Sequence, residues 1–217
     1  MPKRVLIVSD GQNVSNYHRP FGDFGKEAYD CELLWTDPDS VALVVFTGGA
    51  DVSPSLYGQE ASRDTSCVPR RDIYETIAFH RAKALNKPMV GICRGAQFLC
   101  VMAGGKLCQH LTGHHMSHCM ELWDGRRFEV SSTHHQMMLP FPGTKVIGWS
   151  LKKQSYFYYG ERNRQIEPQP KREYEVMAWP HIRAAGMQYH PEAMDSLTKG
   201  FKFAAELVER HLIKNTP

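Results

Sequence analysis

Short, continuous apolar runs mark the first half of the chain. Arg4–Val8, Val41–Thr47 and Pro88–Ile92 each predict a buried strand, and Cys31–Trp35 is a weaker strand candidate. Continuous rather than alternating apolar residues are typical of parallel strands that are covered on both faces. We therefore expect a mostly parallel sheet in this half.

Two helices are predicted among these strands. Asp72–Leu85 has helical spacing, and Arg94–Ala103 directly follows the third strand and ends at Gly104. The apolar stripe of the first helix is expected to consist of Ile73, Ile77, Ala78, Ala84 and Leu85. The stretch Asp51–Arg70 is loop-rich. Strands that alternate with helices predict an α/β fold with helices flanking the sheet.

The second half has a different pattern. Its short strand candidates, without long helices between them, are Phe128–Ser132, Lys145–Trp149, Tyr174–Ala178 and Ala185–Tyr189. A last amphipathic helix is predicted over about Leu197–Leu212. We expect the polar stretch Lys152–Arg172 to be a mobile surface excursion. These features predict antiparallel or edge strands added to the parallel sheet, within a single domain over residues 1–217.

Composition narrows the class of protein. The 217 residues are 42% hydrophobic and 23% charged, and the net charge of +3 is too small to indicate a nucleic-acid surface. The six cysteines form no CxxC pair, which favours a reducing cytoplasm over disulfides. No apolar run approaches a membrane span, and the N-terminal one is too short for a signal peptide. We expect a cytoplasmic protein with no nucleic-acid or membrane partner.

One segment carries a specific chemical pattern. A buried strand leads directly into Cys93 and a helix follows at once, with Gly91 and Gly95 two residues away on either side. This is the G-x-nucleophile-x-G turn, in which glycines let two backbones crowd at a sharp corner. A helix N-terminus favours the thiolate, and the N–H of Arg94 would face an oxyanion. A structural cysteine is the alternative interpretation, and the two glycines favour the nucleophile. The other cysteines are expected to be structural.

A second segment supplies a base for that thiol. A strand-like run ends at His190, Pro191 turns the chain, and Glu192 can fold back to accept the other N–H of the imidazole. Alone, His-Pro-Glu is a weak signal. Together with the turn at Cys93, it predicts a Cys-His-Glu catalytic triad.

These motifs resemble the class I glutamine amidotransferase superfamily. The matching segments are GICRG around Cys93, QYHPE around His190 and TGGAD at Thr47–Asp51. Within the superfamily, FTGGADVSPSLYG, RRDIYE and VSSTHHQ are similar to the γ-glutamyl hydrolase branch, which is the peptidase C26 or γ-glutamyl-γ-aminobutyrate hydrolase group. The resemblance covers about residues 41 to 192. It implies a flavodoxin-like, doubly wound α/β fold with its site at the carboxyl ends of the strands.

The resemblance also implies a role for each matching residue. Cys93, His190 and Glu192 form the triad, and the backbone N–H groups of Gly49 and Arg94 form the oxyanion hole. The implied substrate-binding residues are Gly48, Gln97, Ser132, Thr133, His134, His135 and Gln136. No metal and no cofactor is implied.

Three features depart from the family pattern. Ser131 stands where the family usually has Asn, and Ala96 stands where many amidotransferases have His. The region before Val41 is shorter than expected for the hydrolase branch, so the size of the substrate does not follow from the resemblance.

Other chemical signals point less clearly to a function. The histidines within His110–His118, with Cys119 adjacent, could indicate zinc, but they lack two spaced pairs and a carboxylate, so we expect no metal and a half-buried loop near the site. His134 and His135 could rival His190 as base, but the resemblance places both in the substrate loop.

Two further patterns have simpler explanations. Asp51 follows two glycines but lacks the context of a phosphate-binding loop. The aromatic run Tyr156–Tyr159 lies among basic residues, and we expect it to pack within an exposed loop rather than against nucleic acid.

The sequence thus predicts a cysteine-dependent hydrolase of γ-glutamyl amide bonds. Its substrate would be glutamine or a γ-glutamyl amine, cleaved through a γ-glutamyl thioester to release glutamate. One alternative is the glutaminase subunit of an amidotransferase, which delivers ammonia to a separate synthetase partner. Another is a catalytically inactive binding or regulatory module, against which the complete Cys-His-Glu set argues.

Overall fold

The computed structural model of the chain describes residues 2–9, 14 and 16–214. The described residues form thirteen strands: β1 (Arg4–Val8), β2 (Lys26–Ala28), β3 (Val41–Phe46), β4 (Met89–Ile92), β5 (Lys106–Cys108), β6 (His110–Leu111), β7 (His118–Leu122), β8 (Arg127–Val130), β9 (Met137–Leu139), β10 (Lys145–Ser150), β11 (Tyr158–Tyr159), β12 (Tyr174–Trp179) and β13 (Ala184–Met187). Their α-helices are α1 (Leu33–Thr36), α2 (Pro69–Ala84), α3 (Arg94–Met102) and α4 (Lys199–Val208). In this part of the chain, no helix has the length and apolar character needed to cross a bilayer.

A nine-stranded mixed sheet forms the centre of the fold. Its strand order is β2-β1-β3-β4-β13-β12-β10-β7-β8. The pairs from β2 to β13 are parallel, and the pairs from β13 to β8 are antiparallel. The prediction of an α/β fold with a parallel part and added antiparallel strands is confirmed. Because β13 pairs with β4, the end of the chain returns beside the strand that leads to Cys93.

Alternate residues of β1 face two separate cores. Leu6 and Val8 pack in the core that also contains residues of α2 and α3, whereas Val5 and Ile7 pack in the core that contains residues of α4. Both faces of the strand are covered, which is why its apolar run is continuous. Each such side chain contributes about 2 kcal/mol of stability through its removal from water.

The strand predicted at Cys31–Trp35 is wrong. This segment leads into the short helix α1, in which Leu34 is buried and Trp35 is largely exposed. The edge strand beside β1 is instead Lys26–Ala28, where only Ala28 is buried. An edge strand with one buried residue leaves no apolar run in the sequence, so the pattern pointed to the neighbouring segment.

The helix predicted over Asp72–Leu85 is confirmed, but of its predicted apolar stripe only Ala78 is buried. Ile73 and Ile77 are 63% and 55% exposed. The buried face of the helix carries Arg71, Asp72, Glu75, Ala78, Phe79 and Ala82. Charged residues can take the buried face here because they pair with one another and with Arg94.

The segment Lys152–Arg172 is not simply a surface excursion. It contains β11, which pairs with β6, and Tyr158 within it is fully buried. The hydroxyl of Tyr158 donates to Glu173 Oε1 at 2.8 Å. The neighbouring Tyr156 is exposed, and the rings of Phe157 and Tyr159 stack on each other at 6.3 Å, so the aromatic run does pack partly within its own loop.

Candidate active site

Cys93 occupies a sharp corner between β4 and α3. Its backbone has φ 51° and ψ −110°, a conformation that side-chain-bearing residues rarely adopt and that is usually retained for a functional reason. Its N–H donates to the carbonyl of Met187 at 2.8 Å, which ties the corner to the end of β13. The thiol therefore projects from a fixed position at the N-terminus of a helix.

Two glycines make this corner possible. A Cβ on Gly91 would collide with the backbone of Gly95, and a Cβ on Gly95 would collide with the carbonyl of Phe46 at the end of β3. Strand β4, helix α3 and strand β3 thus approach more closely than any side chain would permit. The structure bears out the close approach that the spacing of the glycines predicted.

His190 lies just beyond the end of β13 and is held on two sides. Its Nδ1 donates to Glu192 Oε1 at 2.6 Å. The hydroxyl of Ser131 accepts from the N–H of His190 at 3.2 Å and donates to its carbonyl at 2.7 Å. Ser131, which replaces the usual Asn of the family pattern, therefore contacts the backbone of His190.

The imidazole of His190 carries a strongly shifted pKa. Burial lowers this pKa, but the thiol of Cys93 and the carboxylate of Glu192 outweigh burial and raise it to about 10. Nδ1 is bound to Glu192, and the buried Nε2 has no hydrogen-bond partner among the described residues, so it is the nitrogen that can accept a proton from the thiol. The geometry supports a cysteine–imidazole pair oriented by a carboxylate.

Gly48 lies at the gap between the cysteine and the histidine. A Cβ there would be 3.1 Å from His190 Cε1 and 3.6 Å from Cys93 Cβ. The N–H of Gly48 donates to the hydroxyl of Tyr17 at 3.1 Å. Burial, followed by the charges of Glu192 and Cys93, raises the pKa of Tyr17. Sequence reasoning missed Tyr17, because no motif surrounds it.

A small cavity of about 180 Å³ opens beside Cys93. It is lined by Gly49, Ala50, Asp51, Ser66, Cys93, Gln97, Thr133, His134, His135 and Gln136. Most residues expected to bind substrate thus share one cavity with the thiol. Gly48, Arg94 and Ser132 lie outside its lining, and the hydroxyl of Ser132 donates to the carbonyl of His114 at 3.0 Å.

The cavity also contains an ion pair that the sequence did not reveal. His135 Nε2 lies 3.1 Å from Asp51 Oδ1, and Asp51 Oδ2 accepts from the N–H of Ser66 at 2.8 Å. The hydrogen bond to Asp51 raises the pKa of His135, against the effect of burial. This pair places an imidazole and a carboxylate side by side on the cavity wall.

Four buried charges lie behind the cavity. The guanidinium of Arg94 pairs with Asp72 and Glu75, and Arg71 Nε donates to Glu75 Oε1 at 2.7 Å. All four side chains are almost completely buried, which requires this mutual pairing. The RRDIYE motif indicated the family resemblance in the sequence. That its Asp72 and Glu75 pair with Arg94 could not be predicted from the motif.

This charged network holds the loop after β3. Arg71 Nη2 donates to the carbonyl of Thr47 at 2.9 Å, and Arg94 Nε donates to the carbonyl of Ala50 at 3.1 Å. Gly49 has φ +138°, and a Cβ there would collide with the guanidinium of Arg71. The network thereby fixes the position of the Gly49 backbone beside Cys93.

A second polar cluster lies next to the cavity. His114 and His118 are buried rather than half-buried as expected, and they contact Glu173 and Glu175. His114 Nε2 lies 3.0 Å from Glu173 Oε2, and His118 Nε2 lies 2.9 Å from Glu175 Oε1. Burial lowers the pKa of His114, but these carboxylates outweigh burial and raise it to about 9. Burial lowers the pKa of His134, whose ring packs on that of His114.

Comparison with known proteins identifies the family. A model of the Peptidase C26 family matches residues 36–192. The chain belongs to this family. A glutamine amidotransferase-like protein, the YvdE homolog of Lactococcus lactis subsp. cremoris, is 38% identical in an alignment 122 positions long that covers 45% of this chain and 64% of that protein. The related YvdE protein of Lactococcus lactis subsp. lactis is 47% identical over 73 residues, or 33% of this chain and 31% of that protein. The chain thus spans less than two-thirds of either relative.

Solved structures share the fold. A glutamine amidotransferase from Thermotoga maritima has a TM-score of 0.62 at 16% identity, with 99% of this chain and 90% of that chain covered. The structure of PurLQS from the same organism gives a TM-score of 0.61 at 16% identity, with 95% and 98% covered. The resemblance to class I glutamine amidotransferases is therefore confirmed for the family and the fold.

Proposed function

We propose that this Peptidase C26 member is a cysteine-dependent hydrolase of γ-glutamyl amide bonds. The observation that carries the proposal is the position of Cys93. Its backbone is strained, it lies at a helix N-terminus and it lines a small cavity, and the imidazole bound to Glu192 lies across Gly48 from it. A structural cysteine needs none of these features. This arrangement supports the assignment of Cys93 as the nucleophile and His190 as its base in acyl transfer.

The proposed reaction has two steps. His190 takes the proton of the Cys93 thiol as Sγ attacks the carbonyl carbon of the side-chain amide, and the N–H groups of Gly49 and Arg94 bind the oxyanion that forms. The C–N bond then breaks, and His190 donates its proton to the leaving amine. Next, His190 takes a proton from water, which attacks the thioester carbonyl. The C–S bond breaks, glutamate leaves, and His190 returns the proton to the thiolate of Cys93.

The cavity limits what can be enclosed during this reaction. At about 180 Å³, it is smaller than the sites that enclose drug-sized ligands. A γ-glutamyl group would occupy the cavity, with its charged amino and carboxylate groups near the Asp51–His135 pair, and the leaving amine would lie outside. All six cysteines are free, in keeping with a reducing compartment such as the cytoplasm.

A second candidate function is that of a glutaminase subunit. It is suggested by the fold shared with PurLQS and with a GMP synthase component from Thermoplasma acidophilum, which has a TM-score of 0.60 at 14% identity. In this case the leaving group is ammonia and the acceptor is bound by a separate synthetase.

One assay tests the proposal and separates the two candidates. The purified protein is incubated with glutamine and with a panel of γ-glutamyl amines, and released glutamate is measured. We expect turnover of at least one γ-glutamyl amine, no turnover by Cys93→Ala, and near-normal turnover by the matched control Cys119→Ala. Activity on glutamine alone, and only with an added synthetase, would support the glutaminase function. Normal turnover by Cys93→Ala would refute both candidates.

A further inference from the structure

Three buried side chains near the cavity converge on one point. His114, His134 and Glu175 each offer one ligand atom, and these atoms lie within 4.8 Å of one another. His114 and Glu175 are completely buried, and His134 is 3% exposed. They come from three separate segments: the loop before β7, the loop before β9, and strand β12.

Each imidazole has one nitrogen bound to an outer acceptor. His114 Nε2 lies 3.0 Å from the carboxylate of Glu173, and His134 Nδ1 lies 2.9 Å from the carbonyl of Gln136. Because a carbonyl can only accept, His134 Nδ1 carries the proton and Nε2 presents its lone pair. If His114 Nε2 donates to Glu173 and the ring is neutral, His114 Nδ1 also presents a lone pair.

The inner nitrogens lack hydrogen bonds. Among the residues that the structure describes, neither His114 Nδ1, His134 Nε2 nor Glu175 Oε2 has a hydrogen-bond partner. Both nitrogens face Glu175 Oε1, at 3.4 and 3.8 Å. With neither a proton nor a cation between them, the two nitrogen lone pairs and the carboxylate would repel one another in this buried site, and neither nitrogen has a hydrogen bond to offset its burial. A cation bound between the two nitrogens and the carboxylate of Glu175 would give each nitrogen a partner.

The arrangement also has the outer contacts of a metal site. Histidine ligands usually donate their second N–H to a carboxylate or a backbone carbonyl, which orients the ring. Four-coordinate zinc with ligands at about 2.0–2.1 Å places neighbouring ligand atoms about 3.4 Å apart. The separations of 3.4 and 3.8 Å are close to this value.

We propose that His114, His134 and Glu175 bind a divalent transition-metal ion, with Zn²⁺ as the ion that this donor set suits best. Glu173 orients His114, and His118 orients Glu175 through its 2.9 Å contact with Oε1. The expectation of no metal rested on the local spacing of His110–His118, and it omitted two ligands that only the fold brings to His114.

The site would stabilise the loop that lines the active-site cavity. The N–H of His134 already donates to the carbonyl of His114 at 3.0 Å, and the hydroxyl of Ser132 donates to the same carbonyl. An ion bound to His134 and Glu175 would connect this loop to strand β12. We assign the ion a structural role, since the cavity beside Cys93 contacts His134 but neither His114 nor Glu175 among its lining residues.

Metal binding can be measured without any turnover. Cys93→Ala protein, in which the reactive thiol cannot bind zinc, is stripped with a chelator and titrated with Zn²⁺ against a chromophoric competitor. We expect one ion per chain, a higher Tm with Zn²⁺, and the visible bands of four-coordinate Co²⁺ when Co²⁺ replaces zinc. If the protein binds no Zn²⁺, the proposed hydrolase function is unaffected, because that reaction needs no metal.

Variants in the same Cys93→Ala background locate the site. Glu175→Gln and His134→Gln should weaken Zn²⁺ binding by more than about 100-fold, a larger effect than loss of an orienting residue. The matched control His115→Ala, an exposed histidine on the same loop as His114, should bind as before. Circular dichroism checks that each variant is folded.

Two results would overturn the proposal. The first is that Cys93→Ala protein binds no stoichiometric ion and gains no Tm with Zn²⁺, which would mean that a proton on His114 balances the carboxylates. The second is that folded Glu175→Gln binds Zn²⁺ as tightly as its parent, which would mean that surface histidines bind an adventitious ion only.

Discussion

At the scale of single residues, the corner at Cys93 is possible because Gly91 and Gly95 have no Cβ atom. The Gly95 backbone lies against the carbonyl of Phe46, where the neighbouring strand cannot move away without disrupting its pairing with β4. The spacing of two glycines around one cysteine was therefore a strong signal, because few other structures need it.

The first prediction concerns Gly95→Ala. Its methyl group would collide with the carbonyl of Phe46, so we expect the free energy of unfolding to fall by about 3 kcal/mol or more. Urea denaturation measures this loss. Gly160→Ala is the control, since its Cβ would make only an ordinary contact at 3.6 Å, and a comparable loss in both variants would contradict the argument.

The second prediction concerns Glu192→Gln. The carboxylate helps to raise the pKa of His190 to about 10, so its removal should lower this pKa by about 1 unit or more. Titration of the histidine signals by NMR measures the change. Glu209→Gln, an exposed carboxylate elsewhere, should leave the pKa of His190 where it is.

The same shift predicts a pH dependence of stability. The folded protein binds the His190 proton more tightly than the unfolded chain, whose histidine pKa is 6.5. The resulting stabilisation is complete below pH 6.5 and is lost as the pH rises through 10. The stability difference between wild type and Glu192→Gln should therefore stay constant up to the lowered folded pKa of the variant and then disappear as the pH rises through about 10. An increase towards pH 10 would contradict the assignment.

At the scale of elements, α2 shows how a charged face can be the buried one. Arg71, Asp72 and Glu75 follow helical spacing as clearly as the isoleucines do, and only the partner Arg94 on α3 decides which set turns inward. Apolar periodicity alone gave the wrong face, because it assigns every charge to solvent.

The third prediction compares the two faces of α2. Glu75→Gln leaves two buried guanidinium groups short of a partner, so we expect a loss of about 3 kcal/mol or more in the free energy of unfolding. Ile77→Ser changes an exposed position and should alter stability by no more than about 0.5 kcal/mol. Chemical denaturation of both variants measures the two values, and the reverse order would mean that the isoleucine face is the buried one.

At the scale of the whole molecule, burial determines which of the six cysteine thiols can react. Burial raises the pKa of Cys100 and of Cys108 to about 12 each, so neither forms thiolate near neutral pH. Cys93 is only 7% exposed, yet it lines the small cavity together with residues of the Thr133–Gln136 loop.

The fourth prediction follows from this sorting. With iodoacetamide at limiting concentration, Cys93 should be alkylated first, and Cys100 and Cys108 should stay unmodified until the protein is unfolded. Peptide mapping by mass spectrometry identifies the modified residues. Alkylation of half-buried Cys67 or Cys119 ahead of Cys93 would show that accessibility alone controls reactivity.

By itself, the sequence determined the features that depend on neighbours along the chain. Apolar runs covered on both faces predicted β1, β3 and β4, and the glycines around Cys93 predicted its corner. The proximity of His190 and Glu192 in the chain likewise predicted their contact. These inferences succeeded because each rests on backbone sterics or on a strand period that few residues define.

Only the tertiary structure decided which distant polar groups meet. The pairing of Arg94 with Asp72 and Glu75, the placement of Tyr17 at Gly48, and the convergence of Glu175 on His114 all join separate segments. Polar side chains are common on every surface, and a lone sequence does not distinguish a solvated charge from a paired one. Whether such a group is buried, and therefore the free-energy cost of leaving it without a partner, depends on which strands lie side by side.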